Sequence, residues 1–322
     1  MAHEVEQMAY VGQVPWHGLG HNLPEGCSIE TWQEAAGLNW EVSKRPVQYN
    51  GNYVDAQGMN NNTLLPFKDK FVLVRNTDDR PLSVVSGRYK PVQPKQILEF
   101  FRDLIADFGM QIETAGSLRD GQRVWALAKT GNVHKVLGVD KVDSYLMLAT
   151  SYDTTFSTLA QFTSVRVVCN NTLQQSFADH SARVTIPHFR DFNESDVKAE
   201  LGAGFQQWDK CAKSMDNLAA LHLDTVAAHE VLTRIFPLTN DPLKDSVNIR
   251  HIANVEELFN GKAIGAEMAG RTGWGLVNAI TEYLDQHRRA RSQGNRLDSA
   301  WFGDGFITKQ RAYDELTKLL VP

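Results

Sequence analysis

Residues 145–177 read YLMLATSYDTTFSTLAQFTSVRVVCNNTLQQSF, and the fold is read outward from them. An apolar run from Tyr145 gives way to a turn at Tyr152-Asp153-Thr154-Thr155, and alternation of period two resumes from Phe162 to Cys169. That pattern predicts two strands. In the second, Thr163, Val165, Val167 and Cys169 share one face, while Ser164 and Arg166 take the other, because side chains alternate across a strand. The first face is expected to be buried and Arg166 to point outward or toward a ligand. At Asn170-Asn171-Thr172 the period changes and a helix is expected to begin, with Asn170 as its cap. The free N–H groups and dipole of such a terminus make a weak anion site, which draws Asn170 and Asn171 toward a bound phosphate. Cys169 reads two ways: as a small buried apolar residue, or as a thiol made acidic by the helix terminus.

The flanking sequence extends a meander in both directions. Ser28 caps a short helix at 28–36, and segments 41–49, 71–75 and 82–86 have strand character, with Asn60-Asn61-Asn62-Thr63 as a mobile loop between the first two. Pro94 opens a helix whose stripe is Ile97, Phe101, Leu104, Ile105 and Phe108, and Gly109 stops it. Segments 110–118 and 122–129 flank Arg119-Asp120-Gly121, where Asp-Gly signals a hairpin; Thr130-Gly131-Asn132 suggests a further turn. A short strand is expected at 183–187. From about Ser195 the pattern is helical, with Phe205, Trp208, Ala212, Met215 and Leu218 at helical spacing. Later helices are expected at 221–236 and 272–291. The fold class is therefore α+β: an antiparallel β-meander flanked by helices, followed by a mainly helical C-terminal part. The expected division is an N-terminal arm over 1–40, an α+β core over 41–190 and a helical domain over 191–322.

Three stretches resemble one family. Arg166-Val167-Val168-Cys169-Asn170-Asn171-Thr172-Leu173, Pro15-Trp16-His17-Gly18-Leu19-Gly20 and Trp274-Gly275-Leu276-Val277-Asn278-Ala279-Ile280-Thr281-Glu282-Tyr283 together resemble an uncharacterised family of phage and plasmid proteins, across nearly the whole chain. The resemblance implies a mobile-element setting and no particular activity. One departure is the loop at Asp153-Thr154-Thr155, which reads more like Asp-Gly-Ser in that family.

The totals bound the function. With 322 residues, 42% of them hydrophobic, one large core or two modest ones can be buried, and a formal charge of −5 gives no overall pull toward nucleic acid or anionic membrane. Three separated cysteines fit a reducing compartment. A chain start without a basic-then-apolar leader, and apolar runs too short to span a bilayer, lead us to expect a protein of the host bacterial cytoplasm, away from membrane.

Metal and cofactor signals are weak. His17, His21 and Cys27 lack a fourth ligand, and Gly18-Leu19-Gly20 lacks the preceding strand a dinucleotide fingerprint needs. Neither metal nor cofactor is expected. For an enzyme, Cys169 would be the nucleophile, with His180 or His188 as base and Asp153 as acid; enzymatic activity is the less favoured reading. The strongest charge signal lies in 287–311, where Arg288, Arg289, Arg291, Arg296, Lys309 and Arg311 face only Asp298 and Asp304, with Trp301, Phe302 and Phe306 interleaved.

A basic groove beside aromatic rings holds single strands without sequence preference. Arginines in a last helical turn also complement the helix dipole, so both explanations stand at this point. On the nucleic-acid reading, Arg88, Lys90, Arg166, Arg288, Arg289 and Arg291 contact phosphates, and Tyr89 and Trp301 stack on bases. Phage single-strand annealing proteins also set helices against a small antiparallel meander, an analogy of fold alone; it implies homo-oligomers and roles in recombination or replication. The alternative is a factor that binds host, phage or defence proteins.

Overall fold

The computed structural model describes residues 5–12, 18–54, 56–57, 60–166, 171–173, 183–205, 208–239 and 241–320. Its centre is an antiparallel hairpin of two long strands, β7 (Arg123–Val136) and β8 (Asp140–Ser151), within an eight-stranded sheet. On one side follow β6 (Gln111–Leu118), β1 (Val5–Val11) and β2 (His21–Leu23); on the other is β9 (Thr158–Arg166). The outer edge of β9 pairs with both β10 (Asn171–Leu173) and β11 (Arg183–Ile186). All of these pairings are antiparallel except that of β1 with β2. A separate three-stranded sheet joins β3 (Val42–Val54), β4 (Asn60–Arg75) and β5 (Arg80–Ser86). The α+β class holds, and helices dominate after Glu194.

Strand alternation in the hairpin feeds two apolar layers. Val124, Ala126 and Ala128 of β7, with Leu146 and Leu148 of β8, join a cluster with α1 (Ile29–Ala35) and α2 (Pro94–Phe108). Trp125, Leu127, Tyr145 and Met147 face the other way, toward α9 (Gln293–Phe302). The hairpin tip goes further. Val136 and Val142 lie in a third cluster built by α4 (Trp208–Ala220), α5 (Thr225–Ile235), α6 (Pro242–Glu257), α8 (Gly273–Glu282) and α10 (Asp304–Lys318). There the Trp274 indole N–H donates to Asp140 Oδ2 at 2.8 Å, both residues fully buried. Helices α3 (Glu194–Phe205) and α7 (Ala266–Ala269) complete the chain.

Several local expectations hold for their stated reasons. Ser28 Oγ accepts from Thr31 N–H at the start of α1, Pro94 opens α2, and Gly109 closes it at φ +65°. Arg119, Asp120 and Gly121 all take positive φ between β6 and β7, as the Asp-Gly signal requires. Phe108 departs from its stripe: it is the last residue of α2 and is exposed.

Larger differences come from pairing that propensity does not encode. The first 40 residues are no arm, because β1 inserts into the main sheet beside β6. The stretch Asn60–Thr63 continues β4 and is no loop. Thr130-Gly131-Asn132 makes an irregularity between Lys129 and Val133 while β7 runs on. The helix expected from Asn171 does not begin there: Asn171, Thr172 and Leu173 form β10, paired with Arg166, Val165 and Ser164, and residues 174–182 lie outside the described residues. Asparagine and threonine serve turns and strand edges as readily as caps, and here pairing with the outer edge of β9 decides between them. The anion site expected from a helix terminus at Asn171 has no such terminus there; Asn170 lies outside the described residues.

Gly116 tests the placement of β1. A Cβ there would stand 2.6 Å from both Gln7 O and Met8 Cβ, on the neighbouring strand. Overpacking at such a position costs about 1–3 kcal/mol. Gly116→Ala is expected to lower the urea midpoint by that amount of stability without changing the slope; Gly116 is not at positive φ, so the loss reports the close approach of β1.

Candidate nucleic-acid interface

Helix α6 starts at Pro242, behind the Asp241 carboxylate that accepts from Leu243 and Lys244 N–H. Its interior carries Arg250, exposed, and His251, half-buried. The His251 ring lies 5.3 Å from that of Phe236, and its Nδ1 is 2.5 Å from the Tyr283 hydroxyl. Tyr283 begins a π-helical turn, Tyr283–His287, that extends α8 and closes with the Arg288 N–H donating to Tyr283 O at 2.7 Å. The wider turn ends the helix at Arg288, and 288–292 forms a loop whose Ser292 caps α9 by accepting from Asn295 N–H. The arginines therefore occupy a loop, and the reading of them as a last helical turn complementing the dipole does not apply.

Packing α6 on α8 gathers cations that are about 40 residues apart in sequence. Arg288 is half-buried, Arg289 and Arg291 are exposed, and Arg250 and Arg288 both act on His251 and Tyr283. Among the described residues none of these four arginines forms an ion pair with a carboxylate. Burial lowers the His251 pKa from its ordinary value, and the two guanidinium groups lower it further. Burial raises that of Tyr283. An imidazole and a hydroxyl beside guanidinium groups that have no carboxylate partner, Arg250 donating only to Ser246 O, present donors and positive charge to an anion. Arg250 and His251 were missed in the sequence because nothing local marks them; the signal is tertiary.

The other expected contacts are distributed elsewhere. Arg88 is exposed, but Tyr89 is only 7% exposed: its hydroxyl donates to Ser151 O at 2.7 Å and its ring stacks on His188 at 4.5 Å. Lys90 is paired with Asp191 at 2.6 Å. Trp301 is likewise 7% exposed, edge-on to Trp125 at 5.3 Å. Leu297, Ala300 and Trp301 form the face of α9 that covers the sheet, so the aromatics interleaved with the arginines are core, and neither expected stacking ring is open to a base. Of Arg166 the backbone pairs with Val142 and Asn171; its side chain, that of Asn171, and Cys169, Asn170, His17 and His180 lie outside the described residues.

The expected acid–base partners have structural work. Asp153 Oδ2 accepts from Arg123 Nε at 3.1 Å, while Oδ1 accepts from the Thr155 N–H and hydroxyl. Thr154 sits at φ +63°, so the loop keeps a left-handed residue where the resembled family favours glycine. His188 Nε2 is 3.0 Å from Phe156 O, and burial lowers its pKa. Cys27 Sγ donates to Pro24 O and His21 is exposed in β2. Among the described residues no group of three or more His, Cys, Asp or Glu is placed to hold a metal.

A buried network fastens this face. Arg123 is ion-paired with both Asp153 and Asp298, Arg119 reaches Asp298 Oδ2 at 2.7 Å, and Phe156 stacks on Phe302 at 4.8 Å.

These elements define a mixed α/β protein in which a helical layer clasps a long hairpin and displays an arginine loop. The chain belongs to the family described as a domain of unknown function, DUF932, whose model matches residues 81–301. No curated protein and no solved structure matches it.

Removing one member of a buried pair leaves the other charge uncompensated, at about 3–5 kcal/mol. Asp298→Ala is expected to cost about 3 kcal/mol in chemical denaturation, because Arg123 retains Asp153 but loses its partner on α9.

Proposed function

We propose that this protein binds single-stranded nucleic acid through the loop Arg288–Ser292 and the adjoining Arg250, as a factor of a phage or plasmid acting in recombination or replication. The observation that carries the reading is the meeting of Arg250 and Arg288 around His251 and Tyr283 with no carboxylate partner. Arginines left unpaired beside one another repel, and a phosphate diester relieves that repulsion. Because Tyr89 and Trp301 are buried, the reading rests on backbone contacts and not on stacking, which favours binding without sequence preference. Self-association into rings or filaments belongs to the same reading.

A second reading, docking of a host, phage or defence protein, is favoured by the ribbon formed by β3 and β4. Tyr49 and Phe67 are 51% and 52% exposed there, edge to face at 6.5 Å, and Leu64 and Leu65 are exposed as well. Apolar groups concentrated on one projecting element mark protein contact surfaces.

Fluorescence anisotropy with a labelled oligonucleotide, titrated across salt, separates the two. Each phosphate contact to a single strand contributes about 0.7 to the log–log salt slope. Replacing Arg288, Arg289 and Arg291 together by alanine is expected to lower that slope by about 2 in a protein that remains folded. Salt-insensitive binding, or none at low salt, overturns the nucleic-acid reading in favour of the second.

Proton linkage gives an independent check. The His251 pKa lies below its ordinary 6.5 in the free protein, and a bound phosphate stabilises the imidazolium and raises it. Binding therefore takes up a proton, so affinity is expected to increase as pH falls from the raised, bound-state pKa toward the lowered, free-state one and to level off below it, and His251→Asn is expected to abolish that dependence.

A further inference from the structure

Charge of the opposite balance collects on the α9 side of the main sheet. A cavity of about 240 Å³ is lined there by Glu25, Glu113, Lys129, Lys141, Asp143 and Tyr145, all its other lining groups being uncharged. Glu113 stands at the irregularity between Ile112 and Thr114 of β6, which brings it to the face of β8 where the Tyr145 hydroxyl donates to its Oε2 at 2.7 Å. Asp143 is 2% exposed. Its Oδ2 is ion-paired with Lys129; Lys141 Nζ stands 3.3 Å from Oδ1 but outside hydrogen-bond geometry, so Oδ1 accepts no hydrogen bond.

Two observations describe what is missing. Both lysines lie on Asp143, so among the described residues neither Glu113 nor the exposed Glu25 has a cation within ion-pair distance. Burial raises the Glu113 pKa, against the opposing pull of the Tyr145 hydrogen bond and of Lys129. The buried Asp143 Oδ1 accepts no hydrogen bond, and a cation, Lys141, stands 3.3 Å from it. The cavity also opens beside an apolar hollow of about 50 Å³ that shares Val11, Glu25, Gln111 and Ile112 and is walled by Cys27, Trp32 and Met110.

We propose that this cavity binds a small organic cation, an amine, amidine or guanidine on a short apolar stem, with its charged nitrogen between Glu113 and Glu25 and its stem in the hollow. Such a ligand supplies the absent positive charge, donates N–H bonds to carboxylate oxygens and buries a few methylene groups, each of which contributes about 0.8 kcal/mol. The site stands apart from the arginine loop, and this inference does not depend on nucleic-acid binding.

The test is a titration of the full chain, followed by amide chemical shifts, with n-butylguanidine and with 1-butanol as the uncharged match of its stem. Saturable shifts centred on Glu113, Asp143 and Tyr145 are expected with the guanidine and not with the alcohol. Glu113→Gln is expected to weaken binding at least tenfold. It keeps an acceptor for Tyr145, and since a raised carboxyl pKa means stability is lost as pH rises through it, the variant is expected to fold at neutral pH. Glu25→Gln, at an exposed position, serves as a second variant and is expected to weaken binding about threefold or more. Butylguanidine affinity is also expected to fall as the pH is lowered through the Glu113 pKa. Equal response to the alcohol, shifts confined to other regions, absence of saturable binding, or affinity unchanged in both variants overturns the proposal.

Discussion

The hydrogen bond between Trp274 and Asp140, made where no water reaches, is the constraint on which the arrangement of the two halves depends. It sits at the tip of the β7–β8 hairpin, the one pair of strands that contributes side chains to all three apolar clusters. Near its base the hairpin separates α1 and α2 from α9. Its tip, through Val136 and Val142, is part of the helical core. A buried carboxylate requires its donors, so Asp140 fixes where α8 lies along the hairpin, and α8 in turn sets the π-helical turn and the loop that carries the arginines. The position of the candidate interface is thus inherited from the register of two strands in the sheet.

Buried charges do a second part of this positioning. Arg123 with Asp298 ties α9 to the start of β7, and Lys309 with Asp285, both about 1% exposed and 2.9 Å apart, ties α10 to the turn after α8. Well-packed apolar groups of the same volume would stabilise as much or more. What an ion pair adds is intolerance of misplacement: a helix shifted by one turn buries a charge without a partner. Both pairs bracket 285–298, so the arginine loop between them is anchored at each end while its arginines form no ion pair among the described residues. That combination suits a binding element, fixed backbone with cations held open to a ligand.

Elements governed by local chemistry were legible in the sequence. Pro94 and Gly109 bound α2, Asp120-Gly121 turns β6 into β7, and Ser28 caps α1, because in each case the residue satisfies a backbone requirement that exists before any tertiary contact. The elements that were not legible depend on partners far away in the chain. Strand β1 is recognisable only once Gly116 is known to admit its backbone. Asn171–Leu173 carries cap and turn residues whose choice of β10 is made by the open edge of β9. The length of β3 and β4 was hidden because much of the ribbon is exposed, so no apolar alternation marks it. At the candidate interface Arg288, Arg289 and Arg291 were visible as a run, whereas Arg250 and His251 join them only through the packing of α6 on α8. Trp301 was misassigned for the same reason: an aromatic next to arginines in sequence belongs to the core when helical spacing places it with Leu297 and Ala300.

The acidic net charge of −5 bears less on ligand choice than the arrangement of charges at each site. At physiological ionic strength the screening length is about 8 Å, so a ligand at the arginine loop senses Arg250, Arg288, Arg289 and Arg291 and little of the distant carboxylates. By the same reasoning the cavity beside Glu113 is governed by the three carboxylates and two lysines that line it. The two places differ in sign and in shape: an open loop on one, a recess with an apolar annex on the other. On the two proposals, a polyanion would spread its charge over several side chains of the first without being enclosed, and a small cation would be enclosed by the second.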